Sequence, residues 1–268
     1  MGSLSAQLEA SRAAGARELA LAFKAMRARL GSVALLLALA GAAWWLAADR
    51  MGAMAIGGMG MGMSGGAEAQ LGTLGWFVIT WIVMMAAMML PSLSPTVALY
   101  ARMTRRRGLD RVLLFSGGYL LVWGAAGAFA YGVFAAGSAA FGRSLAWDRA
   151  GSAVAAGVVA LAALYQFTPL KGKCLAKCRS PLGFLLGSWR DGRTGALGMG
   201  SRHALWCLGC CWALMAALFA LGIMTLAWMA VVAALVAIEK TLPWRRVATG
   251  GTSLMLVGLA GALLAGAL

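Results

Sequence analysis

The five cysteines of this chain fall into two tight groups. Cys174 and Cys178 are four residues apart, whereas Cys207, Cys210 and Cys211 follow one another within a little more than one helical turn. Residues three and four apart share one face of an α-helix, so the second group predicts three thiols on one side of a helix. Thiolates select soft or borderline metals such as Cu(I) and Zn(II) over Mg²⁺ or Ca²⁺. The sequence therefore predicts a soft-metal site, with inert packing of small apolar thiols as the alternative.

The same helix face carries two further candidate ligands. His203, the only histidine of the chain, precedes Cys207 by four residues, and Met215 follows Cys211 by four. A neutral imidazole can bind a metal without burying a charge. We expect both side chains to belong to the site, the alternative being an interfacial histidine above a packing stripe of Cys and Met.

The first cysteine group follows Pro169, which predicts the end of an apolar segment at Thr168. Basic residues surround both thiols: Lys171, Lys173, Lys177 and Arg179. Cys174 and Cys178 can share a metal, exchange electrons with the second group, or be incidental in a basic loop. The spacing alone leaves these three interpretations open.

Methionines supply a second set of soft donors, because a thioether binds Cu(I) without losing a proton. Five of the 17 methionines lie between Met51 and Met63 among glycines, which predicts either metal capture or a low-complexity tether. Two interleaved pairs with helical spacing then follow in an apolar segment: Met84, Met85, Met88 and Met89. Pro91 and Pro95 come shortly after and predict an opened helix beside these thioethers, although adaptable core packing explains such a stripe equally simply.

The elements that position these residues are predicted from composition. With 62% hydrophobic and 12% charged residues, the chain departs from soluble domains, which are about half apolar and about a quarter charged. It is predicted to be an all-α, polytopic helical membrane protein. Seven apolar segments approach the roughly 20 residues that cross a bilayer. They are Gly31–Ala48, Leu74–Leu99, Val112–Gly137, Ala150–Thr168, His203–Leu221, Ile223–Ile238 and Val247–Ala267.

The net charge of +15 first suggests nucleic acid, but its distribution indicates topology instead. All but three of the 23 Lys and Arg residues fall in alternate connections of the seven-span map. The positive-inside rule then predicts a cytoplasmic N-terminus, with the bilayer rather than nucleic acid as partner. Residues 1–30 are predicted to form a cytoplasmic basic segment, which is either an amphipathic helix on the membrane surface or a basic tail that does not dock there. Residues 31–268 are predicted to form the helical transmembrane bundle. Within it, 49–73 is an external Met/Gly-rich loop and 169–202 a basic, Cys-containing cytoplasmic loop.

Three blocks of residues resemble a bacterial family of predicted metal-binding integral membrane proteins of unknown function, some members of which are labelled copper chaperones. The blocks are Ala87–Ser92 with Pro95, Tyr165–Lys171 with Cys174, Cys178, Arg179, Ser180 and Pro181, and Cys207–Met215 continuing through Gly222, Trp228, Met229, Glu239 and Lys240. The resemblance spans roughly residues 76–240. It implies metal binding and leaves the metal and its purpose open.

Together these features predict a non-enzymatic protein that captures, passes or translocates Cu(I) through Met and Cys ligands, with Zn(II) as the alternative metal. Its expected partners are the metal ion and another membrane protein or metallochaperone. Two other functions stay open: a membrane thiol oxidoreductase, and a scaffold for a membrane complex with a structural metal. The sequence does not indicate the oligomeric state.

Overall fold

The computed structural model describes residues 31, 33–49, 73–104, 108–141, 152–220, 226–242 and 244–266, which form helices and no strand. In chain order the helices are α1 Val33–Asp49, α2 Leu74–Met103, α3 Gly108–Phe141, α4 Ser152–Tyr165, α5 Pro169–Cys178, α6 Pro181–Ser188, α7 Gly192–Ala220, α8 Leu226–Thr241 and α9 Arg245–Leu264. The predicted all-α class is confirmed. The N-terminal basic segment, the loop with Met51–Met63 and the expected turn at Gly222 lie outside the described residues.

Four described helices, within α2, α3, α7 and α9, are long and apolar enough to cross a membrane. The pair α4 and α5, bent by 69° at the break between them, would supply a fifth span. Each of the seven predicted segments does contain a helix, but α1 and α8 are shorter than the roughly 20 residues of a typical span. The membrane-type architecture is therefore supported, and the count of seven remains a prediction.

Helix α7 lies at the centre of the bundle and packs against α3, α4 and α5, with smaller contacts to α6 and α8. Glycines permit its close approach to α3. A Cβ atom at Gly200 would overlap the backbone carbonyl of Phe115, and one at Gly118 would overlap that of Leu197. Between helices in a lipid bilayer the hydrophobic effect does not drive association, because lipid tails are as apolar as the side chains. Small residues instead let the helix backbones pack closely. This contact brings side chains of α3 within reach of the cysteines on α7.

The two prolines of α2 do not break it, contrary to the expectation of an opened helix: α2 is continuous over 30 residues. Each proline removes the donor for the carbonyl four residues earlier, so Ala87 O and Pro91 O need other partners. Trp44 Nε1 of α1 donates to Ala87 O at 3.1 Å, and Ser94 Oγ donates to Pro91 O at 2.7 Å. Replacement donors thus keep the helix intact.

The segment predicted as a basic loop over 169–202 is largely helical. Proline is favourable in the first turn of a helix, where its missing N–H costs nothing, and Pro169 and Pro181 begin α5 and α6. The Thr168 side chain caps α5 by accepting from the Lys171 amide at 3.3 Å. Helix α7 begins at Gly192, eleven residues before the predicted span. This helical connection places Cys174 and Cys178 against α7.

Candidate metal centre

Three cysteines of α7 form a buried sulfur cluster, as their helical spacing predicts. The Sγ atoms of Cys207, Cys210 and Cys211 all lie within 4.8 Å of one another. Cys207 Sγ is 3.7 Å from Cys211 Sγ, and Cys210 Sγ is 3.9 Å from Cys211 Sγ. All three side chains are at most 2% exposed, and all five cysteines are free thiols.

The packing of α5 on α7 adds a fourth sulfur to this cluster. Cys178 Sγ lies 3.9 Å from Cys210 Sγ, and its side chain is half-buried rather than buried. The close approach of α5 to α7 depends on Gly209, because a Cβ atom at that position would lie 2.6 Å from Cys174 Sγ. Tyr165 Oη also donates to Gly209 O at 2.5 Å. Cys174 therefore packs on the backbone of α7 at Gly209, whereas Cys178 reaches the cluster through its contact with Cys210.

The sulfur spacing matches that of thiolates around one metal ion. With metal–sulfur bonds of about 2.3 Å, two ligating sulfurs are about 3.8 Å apart in tetrahedral and about 4.0 Å apart in trigonal geometry. The three short separations of the four-cysteine cluster are 3.7, 3.9 and 3.9 Å. Cys207, Cys210 and Cys211 would need little rearrangement to hold a soft cation, whereas Cys178 would have to move closer, because it contacts Cys210 but is not in the group of thiols that all lie within 4.8 Å of one another.

Two polar side chains from other helices converge on Cys207. Tyr119 Oη of α3 lies 2.9 Å from Cys207 Sγ, and Lys240 Nζ of α8 donates to the same sulfur at 3.1 Å. Lys240 Nζ also donates to Ser92 Oγ of α2 at 3.0 Å. Sequence reasoning did not identify these residues as part of the site, although the Glu239–Lys240 pair at the end of an apolar segment was an available signal. The lysine makes Cys207 the most electropositive position of the cluster.

A buried ion pair lies one residue away on α8. Lys171 Nζ is 2.7 Å from Glu239 Oε2, with both side chains at most 3% exposed, and it also donates to Gln166 Oε1. Arg179, next to Cys178, donates to the backbone carbonyl of Glu239 at 3.3 Å. These bonds join the end of α8 to α5, so two of the helices that approach the cluster from outside α7 are connected to each other.

His203 lies one turn before Cys207 and is buried, but its imidazole packs among aromatic rings. The centroids of Phe184, Tyr119 and Phe115 are 4.8, 6.2 and 6.3 Å away. Within the described part of the chain, His203 Nδ1 has no hydrogen-bond partner. The structure does not place the imidazole in the three-thiol group, and its role as a ligand stays a prediction.

The predicted methionine ligands are all buried. Met84, Met85, Met88 and Met89 are at most 3% exposed within α2, and Met215 is 4% exposed on α7. Ser92 Oγ donates to Met89 O at 2.8 Å, so the last methionine of this stripe lies within one helical turn of the serine that contacts Lys240. Burial of this kind fits core packing as well as metal passage.

Long apolar helices around a buried cluster of free thiols define a membrane-type protein equipped to bind a soft metal. The model of the family described as "PpoB2: Copper chaperone" matches residues 78–263. The chain belongs to this family, which agrees with the resemblance in the sequence and indicates a copper-binding, metal-handling role. No curated protein and no solved structure matches the chain.

Proposed function

We propose that this protein binds Cu(I) at the sulfur cluster of Cys207, Cys210, Cys211 and Cys178 and hands it on. The observation that carries this proposal is the convergence of free thiols from two helices, with sulfur separations of 3.7–3.9 Å that equal those of sulfurs sharing one metal ion. Cys174 is left out of the ligand set because its sulfur packs on Gly209. The soft donor set and the copper-chaperone family both favour Cu(I) over Zn(II).

The path to the cluster is proposed to run along the methionines. The loop with Met51–Met63 would capture Cu(I) outside, and the stripe on α2 would pass it inward. Met88 and Met84 lie four and eight residues before Ser92, about 6 and 12 Å along the helix axis. Because Ser92 and Cys207 share Lys240 as a hydrogen-bond donor, the stripe leads to the thiols. The order from thioether to thiolate favours inward transfer.

The proposed topology has seven spans, with the N-terminus in the cytoplasm of a bacterium and the protein in its inner membrane. Under this topology the ends of α2, α5 and α8 and the start of α3 face the cytoplasm, where thiols stay reduced. The side chains around Cys207 come from the halves of the helices nearest those ends. Reporter fusions at each connection test it, and an external reporter signal between α2 and α3 would contradict it.

The copper test is a competition titration of detergent-purified protein against a chromophoric Cu(I) chelator. We expect Cys207→Ser with Cys210→Ser to abolish stoichiometric binding, because two of the three helix-spaced thiols of α7 are removed. Cys174→Ser is the matched control, since it changes a buried thiol of the same region that is outside the ligand set. Unchanged binding in the double variant would refute the cysteine site.

A second function is favoured by one contact. Cys178 and Cys210 come from different helices, and their free sulfurs are 3.9 Å apart, so a modest approach would allow a disulfide of about 2.05 Å. In thiol–disulfide exchange with a partner protein, the two thiols would form this disulfide while the partner's disulfide takes up the two electrons and two protons and is reduced to two thiols, which would make the protein a thiol oxidoreductase. Thiol trapping in growing cells separates the functions: a redox-dependent Cys178–Cys210 disulfide supports the oxidoreductase, and permanently reduced thiols support the metal site.

A further inference from the structure

We infer that Lys240 makes the metal centre selective for a monovalent soft cation over a divalent one. This inference rests on the proposed function, because it concerns which metal the four-cysteine cluster accepts. Lys240 would not be a ligand: it would act through its fixed positive charge beside Cys207.

The charge of Lys240 is not cancelled by its acidic neighbour. Successive helical residues point about 100° apart, so Glu239 and Lys240 face different helices. Glu239 Oε2 pairs with Lys171 on α5. Within the described part of the chain, Lys240 Nζ donates hydrogen bonds to Cys207 Sγ and Ser92 Oγ and forms no ion pair with a carboxylate. The Lys171–Glu239 pair is neutral by itself. The ammonium group of Lys240 therefore contributes a net positive charge at the cluster.

The balance of charge then favours a monovalent ion. Cu(I) held by two thiolates of the four-cysteine cluster, with the other two thiols protonated, leaves a single negative charge, which the ammonium group of Lys240 neutralises within the bundle. A divalent ion at the same place adds one more positive charge next to Lys240. Removing charges from water is costly unless they are compensated, so a neutral arrangement is preferred in a buried site.

The distance sets the size of this preference. Lys240 Nζ is 3.1 Å from Cys207 Sγ, and with a metal–sulfur bond of about 2.3 Å the metal lies no more than about 5.4 Å from the ammonium nitrogen. One extra unit charge at that distance changes an equilibrium on the order of 100-fold at an effective dielectric constant of about 20. Since Lys240 is half-buried, water screens part of the repulsion, and we expect about tenfold or more.

The experiment measures Cu(I), Ag(I) and Zn(II) affinities of the full-length protein, each against a competing chelator. Lys240→Met should shift the Zn(II)-to-Cu(I) affinity ratio at least about tenfold toward Zn(II), and Ag(I) should follow Cu(I). Lys240→Arg keeps the charge and should stay close to the wild-type ratio. Tyr119→Phe removes a hydrogen-bonding group from Cys207 without changing charge, so its ratio should also be unchanged.

An unchanged ratio in Lys240→Met would overturn the inference, as would an equal fall in both affinities, which would show a merely structural role. Wild-type protein that binds no Cu(I) would refute the proposed function itself. Wild-type protein that binds Cu(I), with a Lys240→Met ratio identical to that of Lys240→Arg, would refute only the selectivity role. The two failures are therefore distinguishable.

Discussion

Replacing Gly209 by alanine tests whether the contact between α5 and α7 builds the metal centre. The new Cβ atom would lie 2.6 Å from Cys174 Sγ, whereas nonbonded heavy atoms rest at about 3.5–4.0 Å. With Cys174 in its present rotamer, the two helices have to separate by about 1 Å to relieve this overlap. Overpacking of this kind typically costs about 1–3 kcal/mol, so Gly209→Ala should also lower the unfolding temperature.

The separation has a calculable effect on the cluster. If α5 recedes as a unit along the line that joins the two sulfurs, the distance from Cys178 Sγ to Cys210 Sγ grows from 3.9 Å to about 4.9 Å. Two sulfurs that share a metal with bonds of about 2.3 Å can be at most about 4.6 Å apart. Cys178 should therefore leave the site in Gly209→Ala, while the three thiols of α7 stay together.

The assay is alkylation of Cys178, the half-exposed thiol of the cluster, followed by mass spectrometry with and without Cu(I). Cu(I) should protect Cys178 in wild-type protein and fail to protect it in Gly209→Ala. Gly198→Ala is the matched control on the same helix, since a Cβ atom there meets nothing within 4 Å. Adding Cys174→Ala to Gly209→Ala removes the overlapping sulfur and should restore protection. Equal protection in Gly209→Ala and Gly198→Ala would refute the reasoning.

Two further predictions concern groups that support the bundle. Trp44→Phe should destabilise the protein by about 1–3 kcal/mol, because Ala87 O loses its donor, and the loss should largely vanish in a Pro91→Ala background that restores a backbone N–H. Equal losses in both backgrounds would contradict this account. Lys171→Met should cost about 3–5 kcal/mol by leaving the Glu239 carboxylate buried alone, and Glu239→Gln in the same chain should recover much of it. Thermal unfolding in detergent measures both, and a double variant no more stable than Lys171→Met would count against the ion-pair explanation.

The cluster on α7 could be predicted because it lies within one helix. Helical periodicity alone places Cys207, Cys210 and Cys211 on one side, and the structure confirms this arrangement. The same periodicity predicts His203 as a further ligand; because a step of four residues also moves about 6 Å along the axis, the imidazole lies among aromatic rings, and its role as a ligand stays a prediction. Helical periodicity predicts the face of the helix on which a side chain lies, but it does not predict which neighbouring side chains it meets at its level along the helix axis.

Contacts between helices could not be derived in the same way. The positions of Cys178, Tyr119 and Lys240 relative to Cys207 depend on how α3, α5 and α8 pack, which no local spacing encodes. Lysines were assigned to connections because charge is costly in lipid. That rule misses Lys171, which is 1% exposed, since its partner Glu239 is distant in sequence. The proline expectation was wrong for α2 because a donor from α1 compensates the lost hydrogen bond.

The indole of Trp44 has a consequence for how the protein can be divided. The residues matched by the copper-chaperone family start at 78, so α1 precedes them, yet it supplies the donor for a carbonyl inside them. Where no water can replace the donor, an unpartnered backbone acceptor costs about 1–3 kcal/mol. A fragment cut to the family boundaries would carry this open acceptor in the middle of α2, close to the methionines. The smallest unit suitable for biochemical work on the metal centre therefore includes α1.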